Sequence, residues 1–326
     1  MHCYMITPLF IFSLPRSGST LLQRVLMGHS KVASVAEPSL MLPFAYARKA
    51  AGVAAEYSHL NSCAAIEDFV EKLPNKDATY DDALRDFLIR LYSAQCSGGE
   101  EYFLDKTPRY YYIISEIARL FPKAKFIFLF RNPLQQLASI VNTFGKGRFN
   151  ALHVSYDDLY LGPILLSEGY QLLQSRAIAV NYEKFVASPE TETQLICAFL
   201  GLEYETEMVQ DFFRQELEGR MGDPSGTLEY STISTLPTTK WEDFVSNKYR
   251  KRLALNYLKE LPENVLSIQG YNKSELIKTV QEVDAGLNGV CRDIIDYNYA
   301  WLVRLSKANL FFGKTIGSWA KHKYLS

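Results

Sequence analysis

Residues 9–22, Leu-Phe-Ile-Phe-Ser-Leu-Pro-Arg-Ser-Gly-Ser-Thr-Leu-Leu, constrain this chain more than any other stretch. An apolar strand runs into a Gly/Ser/Thr turn and straight on into an apolar helix start, and that order of elements builds an anion cradle. Gly18 lets the backbone come close to a ligand, and the hydroxyls of Ser17, Ser19 and Thr20 can donate. The helix N-terminus adds N–H groups with a partial positive charge. A phosphate or sulfate belongs there. The nucleoside triphosphate signature G-x-x-x-x-G-K-[ST] is absent, because Leu14 and Pro15 stand where a longer glycine-rich loop would run and Arg16 precedes the turn.

Such a strand needs a sheet around it, and 326 residues with 48% hydrophobic content can bury one large α/β core. The net charge of -1 argues against a general nucleic-acid binder, so the cations of any anion site must be gathered locally. Five cysteines, at 3, 63, 96, 197 and 291, form no C-x-x-C pair and fit reduced, buried thiols in a reducing, cytoplasmic compartment. The five histidines show neither H-x-x-x-H nor H-E-x-x-H spacing, so no metal is implied. The apolar run at Leu9–Leu14 is too short for a membrane span and lacks a basic leader, which disfavours secretion.

Two further strand–turn–helix units follow. Lys125–Phe130 is a continuous apolar run of the kind buried on both faces; Arg131-Asn132-Pro133 ends it, and Pro133 suits the first position of a helix. Ala177–Tyr182 reads as a short strand leading through Ser188-Pro189 into a helix that ends near Gly201. The alternation predicts an α/β fold, a P-loop-like central parallel sheet covered by helices on both faces. Helical stretches are expected over roughly Leu40 to Ser97 and Tyr110 to Leu120. Gly145–Gly169, mixed and aromatic, is either a lid over a pocket or a surface connection.

Arg131, at the end of the second strand, and Ser139, eight residues on, can hold one phosphate between a strand tip and a helix. Together with the Arg16 loop they make two anion sites after two strands, as a nucleotide phosphorylated at two places requires.

With these residues the chain resembles the sulfotransferases that use 3′-phosphoadenylyl sulfate. Ser13–Leu22 is similar to their 5′-phosphosulfate loop, and Phe126–Pro133 through Ser139 is similar to their 3′-phosphate motif. Asn181–Pro189 with Phe199-Leu-Gly201 resembles the family's following strand and helix, which implies a place for Tyr182 near the adenine. Ser225 and Thr239-Lys240-Trp241 resemble the loop that closes over the nucleotide in the tyrosylprotein branch. Thr143 departs from that branch, which carries a second arginine there. The Lys-Thr-Pro and Glu-Pro-Ser-Leu stretches also resemble bacterial members acting on acyl-chain hydroxyls.

The resemblance implies roles as well as a fold. Glu37 takes the place of the catalytic base, and Lys106 in Leu104-Asp-Lys-Thr-Pro108 that of the lysine on the leaving phosphate. Arg16 with Ser17, Gly18, Ser19 and Thr20 would hold the sulfuryl end of the donor; Arg131, Ser139, Tyr182, Ser225 and Lys240 would hold its nucleotide. Read without the family, Glu37 is a solvated loop carboxylate and Lys106 an ion-pair partner of an acid such as Asp105. The expected reaction moves a sulfuryl group from 3′-phosphoadenylyl sulfate to a small-molecule or carrier-linked hydroxyl, with 3′-phosphoadenosine 5′-phosphate as product and no metal. The rivals are a phosphate-loop kinase using ATP and a non-catalytic nucleotide-binding scaffold.

The expected organisation is a catalytic domain over 1–290, with helical insertions at about 40–100 and 145–170, then a basic amphipathic tail at 291–326. From Arg304 onward the chain carries five Lys or Arg and no acid, interleaved with aromatics, so this tail either packs on the body or a partner or lies on an anionic membrane.

Overall fold

The computed structural model describes residues 6–215, 217, 232–235 and 241–306. Five strands form one parallel sheet in the order β2-β3-β1-β4-β5: β1 Thr7–Ser13, β2 Val32–Ser34, β3 Tyr102–Lys106, β4 Lys125–Phe130 and β5 Ala177–Asn181. The chain fills one side of β1 first and then crosses to β4 on the other. The order therefore reverses at β1, and in open parallel sheets ligands sit outside the carboxyl ends of the strands at that point.

Alternation along the strands sorts the side chains into two unlike faces. Leu9, Ile11, Leu104, Ile127, Leu129 and Val180 share an aliphatic core with Leu22, Val25 and Leu26 of helix α1, Ser19–Met27. Phe10, Phe12, Phe126 and Phe128 line the opposite face, where neighbouring rings lie 5.2–6.1 Å apart. Tyr110, Phe121 and Tyr170, from the helical segments Pro108–Ile113, Ile114–Leu120 and Gly162–Leu173 and the turns after them, cover that aromatic face. Helices thus cover both faces, as the alternating pattern predicts.

The expected helices appear over His59–Val70, Asp77–Ala94 and Ile114–Leu120, and Pro133 opens the helix Pro133–Phe144. The helix Pro189–Leu200 ends on Gly201 in the left-handed conformation. Of the cysteines, Cys63 and Cys197 are buried, Cys96 is half-buried and Cys291 is exposed, so buried thiols describe only part of the set. No helix among the described residues is long and apolar enough to cross a membrane.

The chain divides into two compact units. The first comprises Met1–Asn132, Gly162–Thr238 and Ile268–Gly270 and contains the sheet; the second comprises Pro133–Leu161, Thr239–Ser267 and Tyr271–Ser326. The second is helical, with Leu137, Val141, Trp241, Phe244, Tyr257 and Leu258 in its core. Phe149, Leu152 and Leu159 belong to that core too, so this part of Gly145–Gly169 is packed structure rather than an open lid or a surface connection. The helix Val290–Ser306 buries Asp293, Asp296 and Ala300 in this unit and leaves Ile295, Leu302 and Leu305 exposed. Residues 307–326, which carry most of the basic tail, lie outside the described residues.

Candidate active site

The turn after β1 is built for an anion. Arg16 and Gly18 both have positive φ, 66° and 87°, a left-handed conformation that is costly for arginine and free for glycine. A second constraint acts at Gly18: a Cβ there would meet Tyr182 Cε2 at 2.3 Å. The glycine thus admits the Tyr182 ring against the loop, a close approach that sequence reasoning assigned to the ligand. Leu21 and Leu22 donate to the Gly18 carbonyl at 3.1 and 3.2 Å and start α1. An α-helix leaves its first amides without an intrahelical acceptor, and here those belong to Ser19 and Thr20. At the end of β1, fully buried Ser13 Oγ has no hydrogen-bond partner among the described residues, one more polar atom at the base of the cradle.

The β4 tip meets this loop directly. Arg131 Nη1 donates to the Arg16 carbonyl at 2.7 Å, and its guanidinium stacks over the Tyr182 ring at 4.4 Å. Arg131 is only 9% exposed, so its charge is fixed in place before any ligand arrives. Beside it, Glu183 accepts the Asn132 amide at 3.1 Å, which ties the helix after β5, Tyr182–Ala187, to the turn after β4. The expectation that the Arg16 turn and Arg131 serve one molecule requires the two to be neighbours, and they are.

On the other side of β1, the pairing of Ile11 with Lys106 sets the end of β3 beside the cradle. Lys106, with no exposed surface, donates from Nζ to Thr20 Oγ1 at 3.2 Å and to Glu37 Oε1 at 2.7 Å. One ammonium thus touches both the helix that opens the cradle and the candidate base. The ion-pair reading of Lys106 finds its acid in Glu37, while alternation along β3 places Asp105 with Phe103 on the aromatic side. Glu37 is half-buried rather than a solvated loop carboxylate.

Its loop is anchored from two sides. Gln23 Nε2 donates to Ser34 Oγ and the Val35 carbonyl, both at 2.8 Å, and the Ser39 and Met41 amides donate to Thr107 Oγ1 and Tyr110 Oη, both at 3.1 Å. These anchoring residues carry no sequence signal beyond the Lys-Thr-Pro motif and were missed.

Arg16, Ser17, Gly18, Ser19, Thr20, Glu37, Lys106, Arg131 and Tyr182 therefore gather around the carboxyl ends of β1, β3 and β4. Ser139 lies half-buried on the helix Pro133–Phe144 of the second unit. Ser225 and Lys240 lie outside the described residues.

With this geometry in hand, comparison with known proteins is decisive for the family: the model of the sulfotransferase family matches residues 8–206, more than half of the chain. The chain belongs to the sulfotransferase family. It is 28% identical over 219 residues to nodulation protein NoeE of Sinorhizobium fredii (strain NBRC 101917 / NGR234), a match covering 59% of this chain and 49% of that protein. The chain thus spans about half the length of that relative. It is 22% identical over 275 residues to a putative protein-tyrosine sulfotransferase of Caenorhabditis briggsae, covering 82% of this chain and 89% of that one. Among solved structures, the sulfotransferase domain from the Synechococcus PCC 7002 olefin synthase superposes with a TM-score of 0.50 at 22% identity, over 85% of this chain and 95% of that one. This last likeness speaks to the fold.

Proposed function

We propose that this sulfotransferase moves a sulfuryl group from 3′-phosphoadenylyl sulfate to an acceptor hydroxyl by in-line displacement. The observation that carries the reading is the Lys106 ammonium, bonded at once to Thr20 of the cradle and to Glu37. In the resting protein Lys106 and Glu37 neutralise each other. When the donor enters, its phosphate competes for Lys106, and the Glu37 carboxylate is released to take the acceptor proton. A new S–O bond forms to the acceptor while the bond from sulfur to the phosphate oxygen breaks; the electron pair leaves with the phosphate, where Lys106 meets the growing charge. Amides of Ser19 and Thr20, with Arg16, stabilise the equatorial oxygens.

Donor choice rests on the 3′-phosphate, which ATP lacks. Arg131 is already oriented by the Arg16 carbonyl and Tyr182, so it meets that phosphate without first being ordered. Ser139, Ser225 and Lys240 enter this reading through the family's motif spacing. The acceptor is a small-molecule or carrier-linked hydroxyl. A kinase reading lacks its Gly-Lys-Ser/Thr ending.

The test uses ³⁵S-labelled donor with four acceptors: 4-nitrophenol, a 3-hydroxyacyl thioester, a glucosamine oligosaccharide and a tyrosine peptide. Transfer to any of them above the Glu37→Gln background supports the proposal. Tight binding of 3′-phosphoadenosine 5′-phosphate without transfer to any acceptor or to water favours the scaffold instead, and tighter binding of ATP favours the kinase.

A further inference from the structure

Asp105 is a charged side chain beside the site to which the proposed reaction gives no work. It has no exposed surface and accepts three hydroxyl hydrogen bonds: Tyr92 Oη at 2.7 Å and Tyr110 Oη at 3.0 Å on Oδ2, and Thr107 Oγ1 at 3.3 Å on Oδ1. Two of these hydroxyls face the Glu37 loop. Thr107 Oγ1 accepts the Ser39 amide and Tyr110 Oη accepts the Met41 amide, each at 3.1 Å.

A hydroxyl has one proton and two lone pairs, and an ionised carboxylate can only accept. By taking the protons of Thr107 and Tyr110, Asp105 turns their lone pairs toward the two amides. With no acceptor at 105, either proton is free to swing toward an amide and repel it. Ser39 has a φ of 54°, a conformation that a non-glycine residue keeps only when its surroundings impose it. Glu37 precedes this clamped turn by two residues, with Pro38 between them. Tyr92 holds the carboxylate from the far side, its ring stacked on Phe103 at 4.5 Å.

We propose that Asp105 is a positioning residue for Glu37: through the Thr107 and Tyr110 hydroxyls it sets the path of residues 37–41 and so keeps the Glu37 carboxylate on the Lys106 ammonium. This rests on the reading of Glu37 as the base. It assigns Asp105, Thr107 and Tyr110 to catalysis without contact with either substrate.

The experiment compares the wild-type chain with Asp105→Asn, Thr107→Val, Thr107→Ser, Tyr110→Phe and Glu37→Gln. Three readouts are taken: hydrogen exchange of the 36–42 amides, calorimetric affinity for 3′-phosphoadenosine 5′-phosphate, and kcat and KM with labelled donor and whichever of the four acceptors wild type uses fastest. Thr107→Val and Tyr110→Phe are expected to speed exchange at Ser39 and Met41 about five-fold or more. They should also lower kcat by about ten- to a hundred-fold, with nucleotide affinity and donor KM held within about three-fold. Thr107→Ser, which keeps the hydroxyl, should restore both.

Unchanged exchange at both amides overturns the proposal, as does a kcat within about two-fold of wild type where Glu37→Gln has lost its turnover. Should Asp105→Asn fail to fold, the two hydroxyl deletions decide. Wild-type turnover in Glu37→Gln removes the base reading itself, a failure distinct from either of these.

Discussion

Both units bury carboxylates, and Asp105 of the first and Asp293 of the second are held in opposite ways. Asp105 in the first unit is held by three neutral hydroxyls, and burial pushes its carboxyl up to about 6 even though Tyr92, Tyr110 and Thr107 favour the ion. In the second unit, Asp293 faces Arg250, with Nε at 2.6 Å and Nη2 at 3.0 Å, and accepts Asn247 Nδ2 at 2.7 Å. Burial pushes that carboxyl up as well, but the Arg250 and Asn247 bonds outweigh it and hold Asp293 below the usual range. Bonding to Arg148, at 2.6 and 2.9 Å, does the same for Asp296. A carboxylate closed on an arginine is finished chemically and serves as a fastener. One held by hydroxyls stays sensitive to protonation and passes orientation on through those hydroxyls.

The comparison breaks first at Glu37. Glu37→Gln is expected to lower turnover by about 10²- to 10⁴-fold, measured with labelled donor, while nucleotide affinity persists. Comparable turnover in the variant would mean that the Lys106–Glu37 pair is a fastener like those of the second unit. Asp293→Ala, by contrast, leaves the Arg250 fork without its carboxylate, and urea unfolding should show a loss of about 3–5 kcal/mol.

The two kinds of carboxylate should also differ in the sign of their pH dependence. Asp105, raised in the folded state, contributes stability that is complete below about pH 4 and fades as pH rises to about 6, some ~3 kcal/mol in all. Asp293 and Asp296, lowered in the folded state, contribute above about pH 4 and lose their contribution as pH falls through their folded values. The stability of wild type relative to Asp105→Asn, read from urea midpoints, should therefore rise as pH falls from about 7 to about 4; a constant difference would contradict burial as the cause of the raised carboxyl. The smallest effect is expected for Arg131→Ala, which should weaken 3′-phosphoadenosine 5′-phosphate binding by about 2 kcal/mol, roughly thirty-fold by calorimetry. Unchanged affinity would detach Arg131 from the donor.

Three strands were legible because their residues are apolar on both faces: Leu9–Phe12, Lys125–Phe130 and the short run from Ala177. β3 was not, because Asp105 and Lys106 close a five-residue segment with two charges, and no local pattern says that both are buried. Only the parallel register with β1 reveals that one charge goes to the aromatic face and the other to the cradle. Tyr182 was legible as part of a motif, but its ring in the space opened by Gly18 was not, since 164 residues separate contacts that exist only once β5 lies next to β4.

What the amino-acid order determined alone was local: a strand ending in a hydroxyl-rich turn, a glycine where the backbone turns left-handed, a proline opening a helix, and so an anion cradle on a parallel sheet. Only the tertiary structure decided that Lys106 bridges Thr20 and Glu37, that Arg131 leans on the Arg16 carbonyl, and that Asp105 clamps the Glu37 loop through two hydroxyls. The physical reason is range. Strand and turn preferences act over a few residues, whereas a buried charge finds its partner through sheet order and strand alternation, which exist only after the whole core has assembled.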